Sequence, residues 1–275
     1  MILTIGAAGA LCSCSQGEKK TQDTDFHYLL DEFADLKVIR FRVPGWDNLS
    51  LRQKEYAYHL SEAAKLGRDI TWDQYCKWNL PIRHVVEDIL NEYEGDRECA
   101  DFQNFTVYAK RLFFANGIHH HYSEDKFFPE CPKEYFQSLM EAVGDGEQAT
   151  ELLEVIYSPD IYPQRRSTSK TGDIVELSAV NFYDGVTREE VDKYYNSMMD
   201  PNDKTPISYG LNTKVVKEDG KVIEKPWKVG GIYGPALGRI CAELEKAAAV
   251  AETDLQKEAI GKLVKYYKTG DLKTW

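Results

Sequence analysis

At 275 residues, 43% of them hydrophobic, the chain can bury one or two sizeable cores, and its composition is that of an ordinary globular protein rather than a disordered or disulfide-framed one. A formal charge of -11 with no local run of Lys or Arg repels phosphate backbones and excludes nucleic acid as a partner. Aromatic residues make up 12%, 17 of them Tyr, which suits partly wet clefts because one end packs while the other hydrogen-bonds.

The first 14 residues form an apolar stretch of small residues too short to span a bilayer, the pattern of a signal segment. Leu11, Cys12, Ser13 and Cys14 fit a lipoprotein processing site with Cys14 as the lipid acceptor, which places the mature chain at the periplasmic face of a membrane. Residues 15–25 are polar and without periodicity, as a tether would be. Val38, Ile39 and Phe41 predict a short strand before the Pro44-Gly45 turn. Ser50 and Gln53 make a capping box for a helix to about Leu66, closed by Gly67, with Tyr56, Leu60, Ala63 and Ala64 as its buried stripe and His59 as a half-buried hydrogen-bonded residue. Pro81 starts the next helix, in which Ile82, Val85, Val86, Ile89, Leu90 and Tyr93 recur at helical offsets and His84 points away.

A third apolar helix, carrying Tyr108, Leu112, Phe113 and Ala115, ends at Gly117 in a left-handed turn. Its exit is the loop His119, His120, His121, Tyr122, Ser123, Glu124, Asp125, which sets groups titrating near neutral pH beside carboxylates and an aromatic. Pro132 opens a helix through Phe136, Leu139, Met140 and Val143, and residues 147–157 make another. Two prolines, two arginines and a Ser/Thr cluster then predict an exposed loop over 158–172, followed by an extended segment over 173–183. Thr187 and Glu190 make a second capping box. Asp219-Gly220 between two β-prone runs predicts a hairpin near 213–229. Pro235 starts an Ala-rich helix through Ile240, Leu244, Ala248 and Ala251, and Asp254 caps a last one ending before Gly270. The fold class is therefore α+β, predominantly helical, with a small β-sheet. Of the cysteines left after processing at Cys14, none of Cys76, Cys99, Cys131 and Cys241 has metal-site spacing, and their disulfide pairing stays open.

Several segments carry a resemblance. YAYHLSEAA at 56–64, NGIHHHYSEDKFFPE at 116–130, NFYDGVT at 181–187, ISYGLNTKVVKEDGK at 207–221, WKVGGIYGPAL at 227–237 and YYKTGDLKTW at 266–275 resemble, in order, segments of dipeptidyl peptidase III, a family of zinc exopeptidases that release dipeptides from oligopeptide N-termini. The likeness is greatest to Bacteroides-type members and runs from about Phe33 to Trp275. It implies that residues 26–275 are the N-terminal lobe of a two-lobed enzyme whose peptide substrate lies in the cleft between lobes. It also implies that Tyr122, just ahead of the Ser123–Phe127 run, lines that cleft.

A zinc peptidase of this kind needs two His ligands one helical turn apart, a further carboxylate ligand and a Glu to take a proton from metal-bound water. In this sequence each His is followed by something other than Glu: Tyr28, Leu60, Val85, His120, His121 and Tyr122. The family's His-Glu motif is absent, so no catalytic and no metal-ligating residue is assigned; zinc is expected in the full-length family member and none in this chain. The expectation is a piece of the enzyme whose C-terminal catalytic part is missing and which is inactive alone, with oligopeptides, that missing part and a membrane as partners. Asn181, Tyr183, Tyr209 and Asn212, at the ends of predicted extended segments, join Tyr122 as candidate substrate-binding residues because amides and phenols can hydrogen-bond a peptide backbone. The alternative from another class is a non-catalytic peptide-binding or docking lipoprotein.

Overall fold

The computed structural model describes residues 26–275, so the signal segment, the Cys14 lipidation site and the tether lie outside the described residues. The chain divides after Arg42 into two units. In the first, β1 (Leu29–Phe33) and β2 (Leu36–Ile39) pair antiparallel. The predicted strand is thus shorter than Phe41, whose ring is 78% exposed.

The second unit is predominantly helical. Its first layer is α1 (Leu51–Leu66), which opens with the Ser50/Gln53 capping box read from the sequence. Along that helix only Ala63 is buried; Tyr56 and Leu60 are half-buried and Ala64 is exposed, because the helix meets its partners along a narrower stripe than its apolar residues mark out. Gly67 caps the C-terminus of α1, where the sequence places the end of that helix. It stays right-handed, with φ -84°, and the chain passes straight into α2 (Arg68–Tyr75), a helix that the sequence reading lacks.

A second layer comprises α3 (Asn79–Glu92), α4 (Ala100–Ala115), α5 (Lys133–Ala142) and α6 (Ala149–Tyr157). Helix α3 starts at Asn79 with Pro81 in its first turn. These helices bury one continuous core that includes Ile82, Val86, Ile89, Phe105, Leu112, Phe136, Leu139, Leu153 and Trp72. At roughly 25 cal/mol per Å² of apolar surface withdrawn from water, side chains of this size contribute about 2 kcal/mol each.

Beyond it the chain makes β3 (Tyr183–Asp184), α7 (Arg188–Asn196), β4 (Thr213–Glu218) and β5 (Lys221–Pro226). The hairpin β4–β5 turns through Asp219 and Gly220, both with positive φ, and β3 adds in parallel to β4, making three strands. The predicted extended segment over 173–183 is mostly turn: only Tyr183 and Asp184 are strand, and Ser178 makes one isolated bridge with Gln164. Finally α8 (Gly234–Ala249) packs against α1 and against α9 (Asp254–Thr269), closing a smaller core of Ala63, Leu237, Ile240, Leu244 and Val264. Thr253 rather than Asp254 caps α9, through a box with Gln256. Cys76, Cys99, Cys131 and Cys241 are free thiols. No helix among the described residues is long and apolar enough to cross a membrane.

Candidate functional site

The His-rich loop is built outward from Asn79. This side chain is fully buried; its Nδ2 donates to the Trp72 carbonyl (3.0 Å) and its Oδ1 accepts from the Ile118 N–H (3.2 Å), so the end of α2 and the exit of α4 share one amide. Asn116, with φ 57°, takes the left-handed position at the end of α4, and Gly117 follows with φ 147°. A Cβ on Gly117 would sit 2.2 Å from Asn79 Nδ2, so glycine is required there by contact as well as by backbone angle.

From Ile118 the chain makes a short hairpin. His119 bridges Lys126, the His120 N–H donates to the Asp125 carbonyl (2.8 Å), and the Glu124 N–H donates back to the His120 carbonyl (3.0 Å). The three imidazoles separate. His119 is 2% exposed, and because a carbonyl can only accept, its Nε2 carries the proton that it donates to the Tyr162 carbonyl at 2.9 Å. Its Nδ1 is buried with no partner. Burial, with Lys126 and Arg165 nearby, pushes the ring down to about 4, so it is neutral at pH 7. His120 Nδ1 accepts from the N–H groups of Tyr122 and Ser123, and the His121 ring lies edge-on to Phe114.

Two ionic fastenings hold the loop. Glu124, in a left-handed conformation with φ 66°, receives Arg165 and Arg166 together; the two guanidinium groups hold its carboxyl down to about 2. Lys126 is 7% exposed, and its ammonium donates to the carbonyls of Val155 (2.6 Å), Ser158 and Ile161 (2.7 Å), matching three donors to three acceptors at the C-terminal end of α6. Burial lowers it to about 8, leaving it mostly charged at neutral pH. The outcome is a loop with a pinned base and a bare tip: Tyr122 is 87% exposed. Of these four the sequence points only to Glu124, as a carboxylate beside the imidazoles, and gives no sign of its arginine partners or of Lys126. The Arg pair following Pro163 was the available signal, and it reads there as an exposed loop.

The donors present do not fit a zinc centre. The Nε2 of His119 is engaged by a carbonyl, Glu124 is neutralised by two arginines, and among the described residues no group of three or more His, Cys, Asp or Glu side chains could hold a metal ion.

The remaining sequence candidates do not converge on one place. Asn181 and Tyr183 line a cleft of about 660 Å³ bordered by the start of α7 and by Lys214 of β4. Asn181 is fully employed inside the protein: its N–H donates to the Gln74 carbonyl, its Nδ2 to Asp73, and its Oδ1 accepts from Lys214. Tyr183 is half-buried, and burial raises its phenol above the usual range. Asn212, 4% exposed, donates to the Gly270 carbonyl and borders a separate cavity of about 260 Å³ beside Trp227 and Tyr267. Tyr209 donates its hydroxyl to the Met198 carbonyl (3.0 Å).

Comparison with known proteins adds the fold. No protein-family model and no curated protein sequence matches the chain. Solved structures do, among them two of dipeptidyl peptidase III. The chain superposes on the structure of DPP III from Caldithrix abyssi with a TM-score of 0.50 at 18% identity, over 82% of this chain and 32% of that one. It superposes on dipeptidyl-peptidase III from Corallococcus sp. strain EGB with a TM-score of 0.51 at 17% identity, over 85% of this chain and 33% of that one. The chain therefore spans about a third of the length of the structures it matches, and what it shares with them is the fold.

Proposed function

We propose that this chain is the substrate-cleft part, of Bacteroides type, of a dipeptidyl peptidase III-like zinc exopeptidase that releases dipeptides from oligopeptide N-termini. The observation that carries the reading is the fold, common to two dipeptidyl peptidase III structures over more than four fifths of this chain. The ordered sequence segments support it independently. In this reading the chain holds and orients the peptide and does not cut it, because no His in the sequence is followed by Glu and the donors of the His-rich loop are already engaged. Tyr122 is the contact best placed for that task, with its phenol in solvent at the tip of a loop whose base is fixed. Lipidation at Cys14 would hold the lobe at the periplasmic membrane face.

Two measurements test the reading. The purified chain with added zinc is expected to show no turnover of dipeptidyl-arylamide substrates, and turnover that a chelator abolishes would overturn the division of labour. Isothermal titration with an unlabelled oligopeptide is expected to give measurable binding that Tyr122→Ala weakens at least about tenfold, or about 1.4 kcal/mol. Binding that is absent in the parent chain refutes the cleft assignment, and binding that Tyr122→Ala leaves untouched refutes the role of this residue.

A further inference from the structure

We infer that His119 is an acid-sensitive latch: its neutral ring fastens the 119–126 loop to the 162–165 segment, and protonating it releases the loop that presents Tyr122. The geometry requires this direction. As a neutral ring His119 has one N–H, on Nε2, and spends it on the Tyr162 carbonyl at 2.9 Å. Its second nitrogen, Nδ1, is buried and faces no acceptor, so a proton added there makes a donor with nowhere to donate. A second cost is electrostatic. The charged groups that bear on the ring are Lys126 on the same loop, Arg165 on the facing segment and Glu124 beside it. The first two are cations. The one anion is already occupied by Arg165 and Arg166 and stays ionised well into the acid range. An imidazolium at this position is therefore uncompensated, and the cheapest relief is to carry the ring into water, which breaks its bond to Tyr162.

The loop gives way in a defined manner because its fastenings are of different kinds. Lys126 on three carbonyls and Glu124 on two arginines do not change charge between pH 7 and pH 4, while His119 does. Acid thus loosens the strand that enters the loop and leaves the strand that leaves it anchored. The backbone pair between His119 and Lys126 and the Tyr122 tip move with the entering strand. The burial that holds the ring near 4 in place of 6.5 is the size of the effect to be read. The latch is a property of the loop and does not depend on what Tyr122 touches.

The test is hydrogen exchange of the segment 118–127 in the full chain, corrected for the intrinsic pH dependence of exchange, with His119→Gln as the comparison. Glutamine keeps an N–H to give the Tyr162 carbonyl and has no proton to gain. Protection of the parent segment is expected to fall roughly a hundredfold between pH 6.5 and pH 4, with the Gln variant flat over the same range. A parent segment that stays flat, or a variant that falls in parallel, overturns the latch. Should the variant not fold, the parent alone decides by imidazole NMR titration: His119 must remain neutral well below the ordinary imidazole value of about 6.5. Titration of His119 near about 6.5 refutes the proposal.

Discussion

Asn79 sets where two helices stop, and that role follows from its burial. With its carboxamide shared between the Trp72 carbonyl and the Ile118 N–H, removing it leaves the buried Ile118 N–H without its partner, while the Trp72 carbonyl keeps only the Cys76 N–H at 3.3 Å. Asn79→Ala is expected to cost about 2 kcal/mol in urea unfolding. Gly117→Ala places its methyl carbon where Asn79 Nδ2 now is, so it evicts the same amide. The double variant should then lose clearly less than the sum of the two singles. Strict additivity would show that Asn79 and Gly117 do not act through each other. The sequence shows Gly117 as a helix stop but not Asn79, since a polar residue two places before Pro81 reads as a surface position. It also misses that Asn116, not Gly117, takes the cap. At this scale the exposed Tyr122 is legible only through the family resemblance, because nothing in spacing separates it from any other loop tyrosine.

Helix α2 is the element that joins the two helical layers. Its eight residues send Trp72 into the core of α3 to α6, while Ile70 packs against the core shared by α1 and α8. Trp72→Ala is expected to cost about 3 to 5 kcal/mol, against about 1 kcal/mol for Ser50→Ala, which removes only the capping box of α1. Equal losses in urea unfolding would mean that α2 is a surface connection and not a joint. The sequence hides α2 because Gly67 both closes α1 and precedes α2, and the second helix starts with no side-chain cap to announce it. Elements whose signals are local are legible: both capping boxes at Ser50 and Thr187, the Asp219-Gly220 turn and the apolar period of α3 appear as read. The run 173–183 is not, because its β-prone residues alternate without a partner strand long enough to extend them, and it settles into turns around a single bridge.

Across the helical unit, stability against acid should be lost in two steps, because a buried imidazole and a half-buried carboxylate depart from their ordinary titration for different reasons. Burial among cations makes folded His119 bind its proton less readily than an unfolded imidazole. Its share of stability is complete above pH 6.5 and is lost as pH falls toward about 4, to a limit of about 3 kcal/mol if the loop does not yield first. Glu124 works through attraction to Arg166 and Arg165, which keep it ionised. Its share is complete above pH 4.5 and is lost only as pH falls toward about 2. Urea midpoints measured from pH 7 downward should therefore begin to fall near pH 6.5, before ordinary carboxylates titrate, and fall again in the carboxylate range. His119→Gln should remove the first decline and leave the second, while Glu124→Gln should lower the midpoint at pH 7 and blunt the second. A parent protein whose midpoint holds constant from pH 6.5 to pH 4.5 would show that the buried imidazole carries no such load. Local release of the loop reduces the first step without abolishing it, since the contacts surrendered with His119 are part of what the unit loses on complete unfolding.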